Sequence, residues 1–318
     1  MGSFLQCTFL LAMLLFSVGL TSANSATEFY WKAKLPFTPM PKSVIDSLAT
    51  EDNDDVWLST HNKAHNWTHS YEVMLKGYEG GGHCHTDSMI NTDFITSTFF
   101  LEKDLSMGSR LSVHFRDNVG SVNTRFPSPR LAQALPPFKS SSLSNNLRFF
   151  NAEPESDAAM FMNLTLNTCE HPNPINGKKQ YCATSLEKLV SYVTSTLGGS
   201  HDVRTISASP SGSPHRDALL PYKVVGVREV ATEKNMVACH RLGFPYAVYY
   251  CHQPKATTAY TVSLVDVMNG VKSDAYAVCH SQTSEWSPEY VGFKILGAKP
   301  GTHVCHFLQF HDVVWYRG

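Results

Sequence analysis

Four Cys-His dipeptides stand in the last third of the sequence: Cys239-His240, Cys251-His252, Cys279-His280 and Cys305-His306. Ten residues separate the first from the second, then twenty-six and twenty-four separate the later ones, and Trp315 follows the last histidine after eight more. One such dipeptide would carry no message, but four in under seventy residues do. The runs that carry them are Met236-Val237-Ala238, Tyr246 to Tyr250, Asp274 to Val278 and Thr302-His303-Val304. They are β-branched or aromatic and are bounded by turn signals such as Met268-Asn269-Gly270 and Lys299-Pro300-Gly301, so they read as strands. On a strand, neighbouring side chains point to opposite faces. Each dipeptide then sends its thiol one way and its imidazole the other. The cysteines can pair among themselves while the four histidines gather elsewhere. A Cys2His2 zinc finger is spaced differently, with its ligands in C-x2-4-C and H-x3-5-H pairs.

A cluster of neutral imidazoles is a nitrogen-rich site suited to zinc, copper, iron or nickel, and copper binds most tightly among the divalent ions. The residues alone do not choose between structural zinc and a redox metal. Tying the cysteines up as disulfides removes thiolate ligation and adds weight to copper. His114, His303 and His311 have no motif behind them and read as structural or surface histidines. Trp315 reads as a packing residue, and Tyr249 and Tyr250 as core residues that could also line the site.

The elements that must position these groups occupy most of a 318-residue chain, long enough for one large domain or two ordinary ones. Formal charge is −1 with 15 histidines, which excludes a basic nucleic-acid binder and leaves histidine as the compositional anomaly. Residues 1–23 read as a secretory signal: the apolar run Phe9 to Val18 is followed by small residues at Thr21-Ser22-Ala23, with Ala26 as a second cleavage position. No later stretch is long enough to span a membrane. The secretory pathway permits disulfides. Cys169 and Cys182 are expected to bond each other, and Cys239, Cys251, Cys279 and Cys305 to form two further bonds of open pairing. Cys84 stands outside that framework, as a free thiol, an intermolecular partner or a ligand.

Residues 24–96 read as an N-terminal segment and a variable linker. Residues 27–45 are Pro-rich and expected to be extended. The acidic patch Glu51 to Asp55 and the run Gly80-Gly81-Gly82 argue against a packed core in the linker. Its histidines His61, His65, His69, His83 and His85 could form an accessory metal strip, and a solvated His-rich linker is the plainer reading. Asn66 and Asn163 open glycosylation sequons. From residue 97 the pattern is ordered. Strands are expected at Thr98-Phe99-Phe100, Arg110 to Phe115, Tyr222 to Val230, Tyr260 to Val267 and Gly292 to Leu296, and a loop from Pro127 to Pro137. Residues 184–197 predict a helix, capped by Thr184 or Ser185, striped by Leu186, Leu189, Val190, Val193 and Leu197 and stopped by Gly198-Gly199. The architecture expected is α+β and β-rich: antiparallel strands with a few helices, stabilised by disulfides and holding a histidine metal site.

Over residues 97–318 the sequence resembles the BURP domain of plant proteins. The likeness rests on the four dipeptides, their spacing and the terminal tryptophan. Supporting stretches are Phe99-Phe100 at the start, Cys169-Glu170 and Tyr181 to Glu187 in the middle, Cys239 to Leu242, and Cys251-His252-Gln253 through Thr257 to Tyr260. Tyr30-Trp31-Lys32 with Leu35 to Met40-Pro41 resembles the short segment near the mature N-terminus of many such proteins. The resemblance implies copper as cofactor, held by His240, His252, His280 and His306. It also implies peptide cyclase activity that crosslinks a Tyr or Trp side chain within a short core peptide. The substrate would be the chain's own N-terminal segment or another precursor peptide, and the linker aromatics Trp57, Trp67, Tyr71 and Tyr78 are the candidates. The linker lacks the Gln-led, Trp-ended core motif of obvious precursors, so autocatalysis stays open. The alternative is a non-catalytic protein of the cell wall, vacuole or seed, related to stress response or development, with wall polysaccharide or protein as partner. Both readings place the mature chain on the secretory route, extracellular or vacuolar.

Overall fold

A computed structural model describes residues 24–48, 99–113, 124–172, 178–208, 220–308 and 311–318. Residues 1–23, Cys84, Asn66, Trp57, Trp67, Tyr71, Tyr78, His114 and the linker histidines lie outside the described residues. The strands are β1 (Phe99–Leu101), β2 (Arg110–Val113), β3 (Lys178–Ala183), β4 (Val203–Ser207), β5 (Leu220–Thr232) and β6 (Met236–Leu242). They continue as β7 (Val248–Gln253), β8 (Thr257–Asp266), β9 (Lys272–His280), β10 (Val304–Phe307) and β11 (Val313–Arg317). The helices are α1 (Asn24–Lys34), α2 (Lys42–Ile45), α3 (Pro129–Ala134), α4 (Leu143–Phe149), α5 (Asp157–Glu170), α6 (Leu186–Thr196) and α7 (Val291–Leu296).

The strands form two antiparallel sheets, in the orders β1-β10-β9-β8-β5-β2 and β3-β7-β6-β11-β4. In the first sheet, β1 and β2 are opposite edges, yet only residues 102–109 join them. Phe100 of β1 and Leu111 of β2 nevertheless share one core with Val224, Val262, Leu264, Cys279, Cys305 and Phe307, around which the sheet curls. The β8–β9 hairpin turns at Gly270, whose φ of 74° suits a residue without Cβ. The second sheet is covered on its outer face by the apolar stripe of α6, with Ser185 Oγ accepting from the Lys188 amide at its N-terminus. Its inner face meets the first sheet through Met236, Ala238 and Val314 against Ala259, Val278 and Leu308. Helices α4 and α5 close one end against Phe244, Tyr246 and Val248.

Three local expectations are corrected. The Pro-rich segment is helical over Asn24–Lys34 and Lys42–Ile45, because its prolines at 36, 39 and 41 fall between the helices rather than inside them. The stretch read as a loop holds α3: Ser128 Oγ accepts from the Leu131 amide and Pro129 sits at the first helical position, where it lacks no needed hydrogen bond. Val291–Leu296 is a helix, not a strand, and Gly297 stops it with φ 58°. Residues 24–48, read as lying ahead of the domain, pack into its core. Trp31 is 3% exposed, its ring lies 5.7 Å from Trp315, and its Nε1 donates to Thr38 O at 2.7 Å. Thr38 Oγ1 in turn donates to Val203 O at 2.5 Å.

Candidate metal centre

Strand alternation places the two halves of each dipeptide as their chemistry requires. On β6 and β7, Cys239 and Cys251 face the core under α6, while His240 and His252 face the other sheet. On β9 and β10, Cys279 and Cys305 lie in the core of the curled sheet, while His280 and His306 face β6 and β7. In the ladders Cys239 is paired directly with Cys251 and Cys279 with Cys305, and each couple is a disulfide. Cys169 bonds Cys182, as expected, tying α5 to β3. A disulfide between directly opposed residues fixes the register, since a slip of one residue would turn every side chain to the wrong face. It also sets the two following histidines as diagonal neighbours on the other face, within reach of one another.

The four imidazoles line one mostly apolar cavity of about 80 Å³, arrayed as two pairs. His240 Nε2 lies 3.1 Å from His252 Nε2, and His280 Nε2 lies 3.4 Å from His306 Nε2. The expectation that all four would surround a single point is thereby corrected. Among the described residues no three or more His, Cys, Asp or Glu side chains form one metal-holding group. The physical reason is that each histidine is fixed to its own strand couple by its own disulfide.

Hydrogen bonding sets the tautomers. Asp312 Oδ1, 3.1 Å from His240 Nδ1, can only accept when ionised, so His240 carries its proton on Nδ1. His306 Nδ1 donates to the Phe307 carbonyl at 3.1 Å. The Thr257 hydroxyl donates to Lys255 O at 2.7 Å and accepts from His280 Nδ1 at 2.9 Å. The Nε2 atoms of His240, His280 and His306 therefore present lone pairs to the cavity. Between His280 and His306 two lone pairs then face each other across 3.4 Å. Burial, reinforced by the neighbouring histidines, holds His280 well below the usual imidazole range, and burial likewise lowers His306. Both stay neutral at neutral pH, the state an imidazole needs to act as a ligand. Imidazole nitrogens bind a first-row ion such as zinc at about 2.0–2.1 Å, so two cis ligands sit roughly 3 Å apart. The residues present fit such an ion.

Of the residues weighed from sequence, Tyr250 lines the cavity: its ring stacks on His252 at 5.4 Å and its hydroxyl donates to Gln180 Oε1 at 2.6 Å. Tyr249 lies on the reverse face and donates to Ser43 O at 2.9 Å. Trp315 is fully buried packing. His303 is a surface partner of Glu102, and His311 is held by burial down to a pKa of about 3. Asn163 is exposed on α5. Reasoning from sequence missed Asp312, Thr257 and Trp286, whose ring lies 5.1 Å from His280 at the cavity wall. None sits in a ligand-like spacing, and only the register of β11 on β6 brings Asp312 level with His240.

A two-sheet, disulfide-stapled domain with paired inward histidines is what the fold and site define, and residues 98–317 match the BURP domain. The chain belongs to the BURP-domain family. It is 43% identical over 229 residues to BURP domain-containing protein 17 of Oryza sativa subsp. japonica, covering 69% of this chain and 38% of that protein. It is 38% identical over 233 residues to BURP domain protein RD22 of Arabidopsis thaliana, covering 72% and 58%. It is 35% identical over 301 residues to rice BURP domain-containing protein 5, covering 94% and 89%. The match thus spans less than two thirds of the first two relatives and most of the third.

Proposed function

We propose that this chain binds copper through His240, His252, His280 and His306 and acts as a copper-dependent peptide cyclase. The observation that carries the reading is the pair of facing Nε2 couples in one cavity, with His240, His280 and His306 holding a ring proton on Nδ1. Copper, when bound, supplies one-electron redox chemistry that zinc lacks. His240, His280 and His306 present lone pairs at Nε2 and hold their ring protons on Nδ1, and Tyr250, Trp286 and Tyr290 wall the site. The substrate is a Tyr or Trp side chain of a precursor peptide, either from residues 51–90 of this chain or from another chain. The ring's N–H, O–H or C–H bond and one C–H bond of a second residue break, and one bond forms between them. Dioxygen accepts the two electrons and two protons and leaves as hydrogen peroxide.

The test is mass spectrometry of metal-free protein given copper and oxygen. The chain, or an added peptide, should become lighter by two hydrogens per crosslink, and zinc should give no change. Replacing any one of the four histidines by alanine should weaken copper uptake. Copper bound without any mass change would leave the non-catalytic wall, vacuolar or seed protein as the better reading. Unchanged copper stoichiometry in all four alanine variants would remove the metal site itself.

A further inference from the structure

The two histidine pairs differ in what stands behind them. His280 hydrogen-bonds to the Thr257 hydroxyl and His306 to the Phe307 carbonyl, both neutral, and the Asp312 charge reaches His306 only through space. His240 leans on a carboxylate, Asp312, which is 1% exposed. Antiparallel pairing of Val313 with Cys239 puts Asp312, one residue earlier, opposite His240, one residue later. A buried carboxylate is costly unless paired and hydrogen-bonded. A charged acceptor on Nδ1–H raises the basicity of Nε2, and its charge acts on a bound cation through a poorly screening interior.

We infer that Asp312 is a positioning residue that makes His240–His252 the stronger of two unequal metal-binding pairs. The inference rests on the copper reading above. Asp312 fixes the His240 tautomer, aims its Nε2 at His252 and places a negative charge in hydrogen-bond contact with that ring. The first equivalent of copper therefore goes to this pair, and the His280–His306 pair fills second. A purely structural role is the alternative, because Asp312 and buried Arg241 both act electrostatically on buried His311. If Asp312 served only to balance the buried Arg241 charge, its loss would weaken the fold and both pairs alike.

A double-mutant comparison separates the two. Asp312→Asn keeps size and a hydrogen-bond acceptor but removes the charge. It is introduced into the full chain carrying either His280→Ala with His306→Ala or His240→Ala with His252→Ala, and Cu(II) is titrated against a competing chelator. Asp312→Asn should weaken copper binding about 10–100-fold in the first background and far less in the second, where the carboxylate reaches His306 only through space, without a hydrogen bond. Equal loss in both, or no loss in the first, overturns the inference. If a double-alanine chain does not fold, electron paramagnetic resonance of the otherwise wild-type chain at substoichiometric copper decides. Asp312→Asn must then alter the spectrum of the first equivalent, and an unaltered spectrum overturns the inference. Wild-type protein that takes up no copper sinks the copper reading as well, whereas copper uptake indifferent to Asp312→Asn refutes this inference alone.

Discussion

Replacing Trp31 by alanine tests whether the N-terminal segment is part of the domain or an appendage. An indole buries about 150–250 Å², and at about 25 cal/mol per Å² that is worth ~4–6 kcal/mol. Alanine retains part of this area and the site relaxes partly, so a loss of about 3–5 kcal/mol is expected. Within that figure, the Thr38 carbonyl loses its indole donor and Trp315 loses its ring neighbour. The damage spreads, because Thr38 holds Val203 of β4, and Ser43 and Ser47 hold Tyr249 and Arg241 on the back of the histidine-bearing strands β7 and β6. The assay is urea unfolding of metal-free protein, following tryptophan fluorescence and far-ultraviolet circular dichroism together. Phe29→Ala is the control on the same helix, since Phe29 is 76% exposed and should change stability little. A Trp31→Ala loss below about 1 kcal/mol, within the range of ordinary surface changes, would refute the reasoning.

Other outcomes follow from the same structure. Serine in place of both Cys279 and Cys305 opens a span of 26 residues and should cost about 3.5 kcal/mol, against about 3 for Cys239 with Cys251, which span 12. Non-reducing peptide mapping should recover both bonds, and free thiols there would contradict the assignment. Gly292→Ala would set a Cβ 2.6 Å from Tyr290 Cε1 and 3.1 Å from Phe99 Cδ1. The overpacking should lower stability by about 1–3 kcal/mol, and an unchanged urea midpoint would contradict that packing. Burial lowers His280, His306 and His311, the last to about 3. Between about 6.5 and those lowered values the unfolded chain holds protons that the folded chain refuses. Stability of the metal-free protein should therefore be full above the ordinary imidazole value and fall on acidification. A midpoint that stays flat from neutral pH into the acid range would contradict it.

The sequence by itself determined the local half of this protein. Alternation along a strand was enough to send thiols and imidazoles to opposite faces, and the α6 stripe with its Ser185 cap was legible because period and capping are properties of neighbouring residues. The secretory reading and the even cysteine count within the domain foretold three disulfides, and Cys169–Cys182 among them. Which dipeptide cysteines bond each other was decided by the ladders, where Cys239 meets Cys251 and Cys279 meets Cys305. Tertiary structure alone arranged the histidines as two couples rather than one point, because each couple belongs to a different sheet and the sheets meet face to face. It also drew α1 into the core through Trp31 and brought Asp312 behind His240, contacts between residues 284 and 72 positions apart in the chain. Spacing and periodicity carry no information about such pairs; they exist only once β11 has registered on β6.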